Sequence, residues 1–213
     1  MSAPGGLLLA MMDPPSDAEA EFNAWYNEEH APNRLTVPGV LSARRYTAVW
    51  PDGPRYMAMY DLESPETVAR PEYRRLYAEQ SEREKAMFAR IPRMDRRVLK
   101  TLHWMDPLSE HPRLVLTVGL QPRPGAESEV ATWYGEEHIG MLCAVPGWQR
   151  VRLYEQVEGT GPHFVAVHEI ESEAVFETDA YRAATSTPWR ERIHTLLERR
   201  ERSLFQLLRS FGR

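Results

Sequence analysis

Two short motifs carry the residues best suited to proton transfer. The segment Trp25-Tyr26-Asn27-Glu28-Glu29-His30 recurs as Trp133-Tyr134-Gly135-Glu136-Glu137-His138. Each motif places a histidine, whose ordinary pKa lies near neutrality, directly after two carboxylates, which suits a general acid or base. The candidate catalytic residues from these motifs are His30, His138, Glu29 and Glu137. The alternative is structural: the same side chains would tie a helix end to the following turn by hydrogen bonds.

A third histidine is a candidate because the two halves of the chain differ at its position. His168 stands where the first half has Tyr60, in the middle of an apolar strand. An ionisable side chain in such surroundings needs a hydrogen-bond partner or a pocket. We therefore count both His168 and Tyr60 as candidate catalytic residues, with a hydrogen-bonded core histidine as the alternative for His168.

Other side chains are candidates for binding a substrate. An arginine and a tyrosine two residues apart share one strand face in each half, so the arginine can hold an anionic oxygen while the tyrosine donates a hydrogen bond. An arginine paired with a glutamate at the rim of a sheet is the structural alternative. Tryptophans offer flat surfaces to an aromatic ligand, although most aromatic residues pack in cores. The substrate-binding candidates are Arg44, Arg152, Tyr46, Tyr154, Trp25, Trp133 and His103.

The motifs belong to an internal repeat with a displacement of 108 residues. Val37-Pro38-Gly39 returns as Val145-Pro146-Gly147, and ten of the 22 positions from Trp25 to Tyr46 are identical in the second half. The proline-containing segment 103–113 shows no repeat and is predicted to connect the copies. We therefore predict one repeat over residues 1–105 and a second over 106–213.

Periodicity predicts the same order of elements in both copies, namely strand, helix, two strands, helix, strand. The predicted strands cover residues 7–12, 40–50, 56–62 and 96–102, with 114–120 and 204–208 in the second copy. Ser16 is the predicted N-cap of the first helix, and the later helices should start near Ser64 and Ser172. The alternating arginines and glutamates of 191–202 predict a solvated helix face.

The strands predict that both faces of the sheet are covered. Tyr56, Ala58 and Tyr60 alternate with Met57 and Met59, so neither face is simply polar. A second copy can supply the missing cover. The predicted fold class is α+β, with two tandem ferredoxin-like βαββαβ repeats forming one barrel, and such a barrel either holds a small ligand or is filled by its own side chains.

The motif Trp-Tyr-x-Glu-Glu-His followed by Val-Pro-Gly resembles the dimeric α/β-barrel (ferredoxin-like) superfamily, particularly its EthD-like branch, in a tandem-duplicated form. The resemblance spans about residues 6–102 and 114–210. It implies an intramolecular pseudo-dimer, with a pocket between sheet and helices in each half. Similar families include cofactor-independent monooxygenases, muconolactone-type isomerases, polyketide cyclases and haem-dependent peroxidases, so the fold alone names no reaction.

Composition narrows the classes of partner. Of 213 residues, 42% are apolar and 27% are charged, and the net charge of −5 disfavours nucleic acid and anionic membranes as partners. The single cysteine, Cys143, fits a reducing, cytoplasmic compartment. The sequence has no His-Glu-x-x-His, Cys-x-x-Cys or glycine-rich phosphate motif, so no metal and no cofactor are predicted.

These features together predict a small cofactor-independent enzyme of the lyase or isomerase type, in which histidine moves protons on an aromatic, lactone or polyketide-like substrate. One alternative is a cofactor-free or haem-dependent oxygenase or dehydratase that uses the same pocket. Another is a non-catalytic small-molecule-binding barrel. A further homodimer of the pseudo-dimeric chain remains open.

Overall fold

The computed structural model describes residues 4–105 and 113–212, and it shows the predicted order of elements in both copies. The first copy contains β1 (Gly6–Asp13), α1 (Glu19–Trp25), α2 (Ala31–Leu35), β2 (Val40–Ala48), β3 (Tyr56–Leu62), α3 (Pro71–Ala78), α4 (Glu82–Arg90) and β4 (Arg93–Met105). The second contains β5 (Leu114–Pro122), α5 (Glu127–Trp133), α6 (Ile139–Cys143), β6 (Trp148–Glu158), β7 (Phe164–Ile170), α7 (Asp179–Ala184), α8 (Pro188–Thr195) and β8 (Leu197–Phe211).

The repeated motif forms a π-helical turn in each copy. Tyr26–His30 joins α1 to α2, and Tyr134–His138 joins α5 to α6. Single π-turns inserted in α-helices are rare and occur frequently at functional sites. Both histidines close their turns and are buried.

The strands of each copy pair in the same antiparallel pattern. β1 lies between β3 and β4, and β2 pairs with the other side of β3. β5 lies likewise between β7 and β8, and β6 pairs with β7. All eight strands belong to one closed barrel in the order β1-β3-β2-β8-β5-β7-β6-β4, which confirms the predicted α+β barrel fold.

The described residues form two compact units. Unit 1 contains residues 4–100, 157–160 and 208–212, and unit 2 contains 101–105, 113–156 and 161–207. In unit 1, Leu8 and Ala10 pack against Phe22 and Trp25 of the first helix, while Leu9 on the opposite face of β1 is also buried. Both faces of this sheet are therefore covered, as the mixed strand pattern predicts.

Several predicted boundaries are wrong. The first helix begins at Glu19 after Ala18, so Ser16 is not its N-cap. The second strand ends at Ala48, short of residue 50, and the last strands of both copies are longer than predicted. Residues 103–105 belong to β4, and the rest of the predicted connector up to residue 112 lies outside the described residues.

The prediction of a solvated helix face over residues 191–202 is also wrong. The helix ends at Thr195, and β8 begins at Leu197. Arg200 pairs with Leu120 of β5, and Arg202 pairs with Val118. Paired residues share one face of the sheet, so both arginines lie on the face that the helices cover. No helix within the described residues is long and apolar enough to span a membrane.

The displacement between the copies changes from 108 to 106 residues after α3. The cause is that α3 has eight residues whereas α7 has six. Ser81 caps the N-terminus of α4 and Thr187 caps that of α8, so Glu84 of the first copy corresponds to Arg190. The strand register agrees, since Arg96 opposite Ala10 corresponds to Arg202 opposite Val118.

Candidate functional site

Unit 1 contains a cavity of about 280 Å³ between its sheet and its helices, close to the lower end of the range for small-molecule sites. Apolar side chains of β1 form one wall, and tyrosines from β3 and α3 form others. The lining residues are Leu8, Ala10, Met12, Tyr26, His30, Arg34, Tyr60, Tyr73, Tyr77, Gln80, Phe88, Met94 and Arg96.

Two side chains that line this cavity, His30 and Arg34, meet the buried carboxylate of Glu84. His30 Nδ1 lies 2.9 Å from Glu84 Oε1, and Arg34 Nη2 lies 3.3 Å from the same oxygen. The π-turn supplies His30, α2 supplies Arg34, and the first turn of α4 supplies Glu84, so three helical segments hold the cluster. All three residues are buried.

The cluster fixes the protonation of His30. Burial, opposed by the hydrogen bond to Glu84, lowers the pKa of His30 to about 4, so its ring is neutral at pH 7. Burial works to raise the pKa of Glu84, but the hydrogen bond from His30 and the charge of Arg34 lower it overall. An ionised carboxylate only accepts hydrogen bonds, so the ring proton belongs on Nδ1. Nε2 forms no hydrogen bond with any described residue and keeps its lone pair.

Arg34 offers a second unused group. Its side chain is only 2% exposed, and Nη1 is buried without a hydrogen-bond partner among the described residues. The guanidinium carbon lies 5.6 Å from the ring centre of Tyr73 and 5.2 Å from that of Tyr77. A buried, unsatisfied cationic donor is costly unless a ligand accepts from it, so Nη1 is suited to an anionic or carbonyl oxygen.

Two phenols, those of Tyr26 and Tyr60, also line the cavity, and the ring centre of Tyr26 lies 4.7 Å from that of His30. Tyr60 donates a hydrogen bond of 3.0 Å to the hydroxyl of Tyr26. Burial raises the pKa of both, so both hydroxyls stay protonated at neutral pH. The guanidinium of Arg45 lies 4.2 Å from the ring centre of Tyr26 and donates to the amide oxygens of Asn23 and Asn27. The tyrosine pair is thus a rigid source of neutral donors.

Unit 2 has an equivalent cavity of only about 50 Å³. Trp148 occupies the position of Val40, and its ring stacks on Tyr181 with centres 5.6 Å apart. Trp148 also lies against the ring of His168, with ring centres 5.4 Å apart, and it lines the smaller cavity of unit 2. The lining residues are Leu116, Val118, Leu120, Trp133, Tyr134, His138, Leu142, Trp148, His168, Tyr181, Thr185, Arg190, His194, Arg200 and Arg202.

The polar groups of the second cavity differ as well. Arg190 stands where unit 1 has Glu84, and Leu142 replaces Arg34. His138 therefore lacks the carboxylate of its counterpart, and its Nδ1 is buried without a partner in the described part of the chain. Tyr134 and His168 form a 2.9 Å hydrogen bond, the counterpart of the Tyr26–Tyr60 pair. Burial, together with the charge of Arg202, lowers the pKa of His168 to about 3.

The candidate catalytic residues from the sequence fall into two groups. His30 and Tyr60 line the unit 1 cavity, and His138 and His168 line that of unit 2. Glu29 accepts a hydrogen bond from the N-cap Ser81, and Glu137 accepts one of 2.7 Å from the N-cap Thr187. Both glutamates thus join the π-turn to the last helix, a contact that supports their structural interpretation.

Most candidate binding residues lie away from the cavities. The side chains of Arg44, Tyr46, Arg152 and Tyr154 occupy the sheet face opposite the helices, and Arg44 pairs with Asp61 at 2.7 Å.

The aromatic candidates pack against the motifs. Trp25 is fully buried behind His30, with ring centres 4.8 Å apart. Trp133 stacks on His138 at 4.3 Å and does line its cavity. The His103 ring lies against Gly135, where an added Cβ would approach it to 2.7 Å.

The sequence analysis did not select Glu84 and Arg34, which contact each other beside His30, or Arg190, which lines the unit 2 cavity. Glu84 and Arg34 come from segments 54 and four residues away from His30, and no local motif links them. One signal was available: Ser81-x-x-Glu84 has the spacing of a helix capping box, and Thr187 starts α8 in the same way. Aligning those caps reveals the substitution of Glu84 by Arg190. Within the described residues, no three His, Cys, Asp or Glu side chains gather as metal ligands.

No protein-family model and no curated protein matches the chain. Solved structures do match over nearly its whole length. An anthrone oxidase-like protein aligns with a TM-score of 0.69 at 13% identity, covering 97% of this chain and 92% of its own. A protein provisionally assigned as a monooxygenase from Fusobacterium nucleatum aligns with a TM-score of 0.66 at 14% identity, covering 100% and 96%.

A chlorite dismutase variant from Candidatus Nitrospira defluvii aligns with a TM-score of 0.65 at 11% identity, covering 98% of this chain and 93% of its own. Identities this low establish a shared fold and not a shared reaction. The closed barrel, the repeated strand order and these neighbours together show that the chain has the dimeric α/β-barrel fold.

Proposed function

We propose that the unit 1 cavity is the active site of a small-molecule enzyme that removes a proton from a carbon acidified by an adjacent or conjugated carbonyl group, in a reaction of the lyase or isomerase type. The observation that carries the proposal is the presence of two unused groups on neighbouring side chains that line one cavity. One is the lone pair of neutral His30, and the other is the buried Nη1 donor of Arg34.

The two groups have different roles in enolisation, one as the base and the other as the donor to the oxygen. Nε2 of His30 takes the proton, and the electron pair of the broken C–H bond moves onto the carbonyl oxygen. Nη1 of Arg34 donates to that oxygen as negative charge develops on it. Glu84 accepts from Nδ1 and stabilises the imidazolium that forms. Return of the proton to another carbon gives an isomer, and expulsion of a leaving group gives a lyase reaction.

The walls of the cavity favour a planar, largely apolar substrate. Tyr73 and Phe88 provide aromatic faces, while Leu8, Ala10 and Met12 line β1. Tyr77 and Met94, which are 45% and 52% exposed, mark the mouth. Aromatic ketones, lactones and polyketide-like molecules combine a flat apolar body with a C–H bond that a carbonyl group acidifies.

Deuterium exchange tests this step without knowledge of the final product. Anthrone, a tricyclic ketone with an acidic CH₂ group, and a panel of aromatic lactones are incubated with the protein in D₂O, and deuterium uptake is followed by NMR. The wild-type protein should accelerate exchange of at least one probe. His30→Gln should lower that rate by about 10² to 10⁴-fold, and Arg34→Gln by about 10²-fold.

Arg83→Gln is the matched control, because Arg83 also lies on the helical side of unit 1 but pairs with Glu28 at the surface. It should exchange at the wild-type rate. Exchange that is unchanged in His30→Gln, or absent with every probe, would contradict the proposed function.

Cofactor-free oxygenation in the same cavity is the second candidate. The names of two structural neighbours, an anthrone oxidase-like protein and a provisionally assigned monooxygenase, favour it. Dioxygen would then oxidise the same enolate, so that anthrone and O₂ give anthraquinone and water. Oxygen uptake with anthrone distinguishes this reaction from simple enolisation, and a Soret band in the purified protein would instead indicate haem-dependent chemistry.

A further inference from the structure

Three arginines line the unit 2 cavity. Arg190, Arg200 and Arg202 all line it, and no aspartate or glutamate does so among the described residues. Neither Arg190 nor Arg200 forms an ion pair with any residue that the structure describes. Burial lowers the pKa of Arg200, and the charges of Arg202 and Arg190 lower it further, as expected for cations that repel one another.

Two side chains that line this cavity, His138 and His168, each have a buried ring nitrogen without a hydrogen-bond partner among the described residues. Nδ1 of His138 and Nδ1 of His168 are unsatisfied in the described structure, in side chains that are 8% and 2% exposed. Burial raises the pKa of Tyr134, so its hydroxyl stays protonated and can donate to Nε2 of His168. That tautomer leaves the N–H on Nδ1 of His168 as a donor that lacks an acceptor.

We propose that this cavity is a second ligand site, which binds a small oxyanion of the phosphate or short-carboxylate type. The guanidinium groups supply charge and the histidines supply neutral donors, a combination that matches the several acceptor oxygens of such an anion. A volume of about 50 Å³ holds a few water molecules or one small anion, and it excludes the planar substrate proposed for unit 1. The inference does not depend on the reaction proposed for unit 1.

Isothermal titration of the full chain with inorganic phosphate and with acetate, in a chloride-free buffer of constant ionic strength, tests the site. The wild-type protein should bind at least one of them, and the tighter of the two identifies a tetrahedral or a planar ligand. Arg190→Gln and Arg200→Gln should each raise Kd at least about tenfold. Arg200 is exposed, so its replacement should not disturb folding. Arg200→Gln therefore still tests the site if Arg190→Gln does not fold.

Arg192→Gln is the matched control, since Arg192 lies on the same helix but pairs with Glu129 at the surface, and its Kd should equal that of the wild type. A weakening in Arg192→Gln as large as in Arg190→Gln would show a general charge effect and overturn the proposal. So would the absence of binding of both anions at millimolar concentration. Loss of binding in Arg34→Gln, with Arg190→Gln unaffected, would place the anion in unit 1 and likewise overturn it.

Discussion

The two cavities occupy equivalent positions in the repeats, yet they differ in volume and in charge. Unit 1 keeps about 280 Å³ open, and the His30 and Arg34 side chains in its wall both contact Glu84. Unit 2 keeps about 50 Å³ and has Arg190 in place of the glutamate. The contacts that join each π-turn to the last helix, from Ser81 and Thr187, are the same in both units. Duplication has thus preserved what supports the fold while the chemistry of the cavities diverged.

The largest expected difference in stability is between variants of Glu84 and of its counterpart Arg190, whose charges are opposite. Glu84→Ala should lower the free energy of unfolding by about 3 to 5 kcal/mol, because it leaves the buried Arg34 guanidinium without a carboxylate. Arg190→Ala should cost less than about 1 kcal/mol, since that side chain is partly exposed and makes no ion pair within the described ranges. Urea unfolding of both variants measures this, and equal losses would contradict the comparison.

The next largest effect concerns volume. Trp148→Val, which copies Val40, should destabilise the protein by about 3 kcal/mol, because it removes the ring stacked on Tyr181 and leaves a void. The reverse change, Val40→Trp, should cost about 1 to 3 kcal/mol through overpacking and should suppress deuterium exchange, although no ionisable group changes. Full exchange in a folded Val40→Trp protein would show that the open volume of unit 1 is not the reaction site.

Acid should destabilise the protein through its buried histidines. In the folded protein the pKa of His30 is about 4 and that of His168 is about 3, whereas the ordinary value is 6.5. Between the folded-state pKa and 6.5, each histidine binds more protons in the unfolded chain than in the folded protein. Stability therefore falls as the pH drops below 6.5, by about 1.4 kcal/mol per pH unit for each histidine. His168→Tyr copies Tyr60 and should remove one such contribution. The free energy of unfolding of this variant is measured at pH 7, 6 and 5. If it falls with pH as steeply as that of the wild type, His168 does not contribute to the acid sensitivity.

The smallest effect should be the same in both units. Ser81→Ala and Thr187→Ala each remove an N-cap, which typically costs about 1 kcal/mol, together with the hydrogen bond to Glu29 or Glu137. Thermal unfolding should show similar losses for the two variants. A loss confined to one variant would show that the supporting contacts have diverged along with the cavities.

The sequence predicted the fold more completely than the candidate site. A 108-residue repeat and the strand pattern were enough to predict the α+β barrel, because hydrophobic periodicity and tandem similarity are local signals. Glu84 was not predicted, because its contact with His30 depends on how α4 packs against the π-turn. Arg200 and Arg202 were assigned to a helix, because a charge-rich segment resembles a solvated helix unless its place next to β5 is known. Both the contact of Glu84 with His30 and the strand conformation around Arg200 depend on tertiary packing, which local sequence patterns do not show.

A crystal structure of the protein soaked with anthrone, or with the panel lactone that exchanges fastest, tests whether the unit 1 cavity carries the chemistry. We predict one planar ligand in the unit 1 cavity, with its carbonyl oxygen within about 3.2 Å of Arg34 Nη1 and its acidic carbon beside His30 Nε2. A ligand bound in the unit 2 cavity, or one in unit 1 that leaves Nη1 of Arg34 without a partner, would contradict the assignment of the reaction to unit 1.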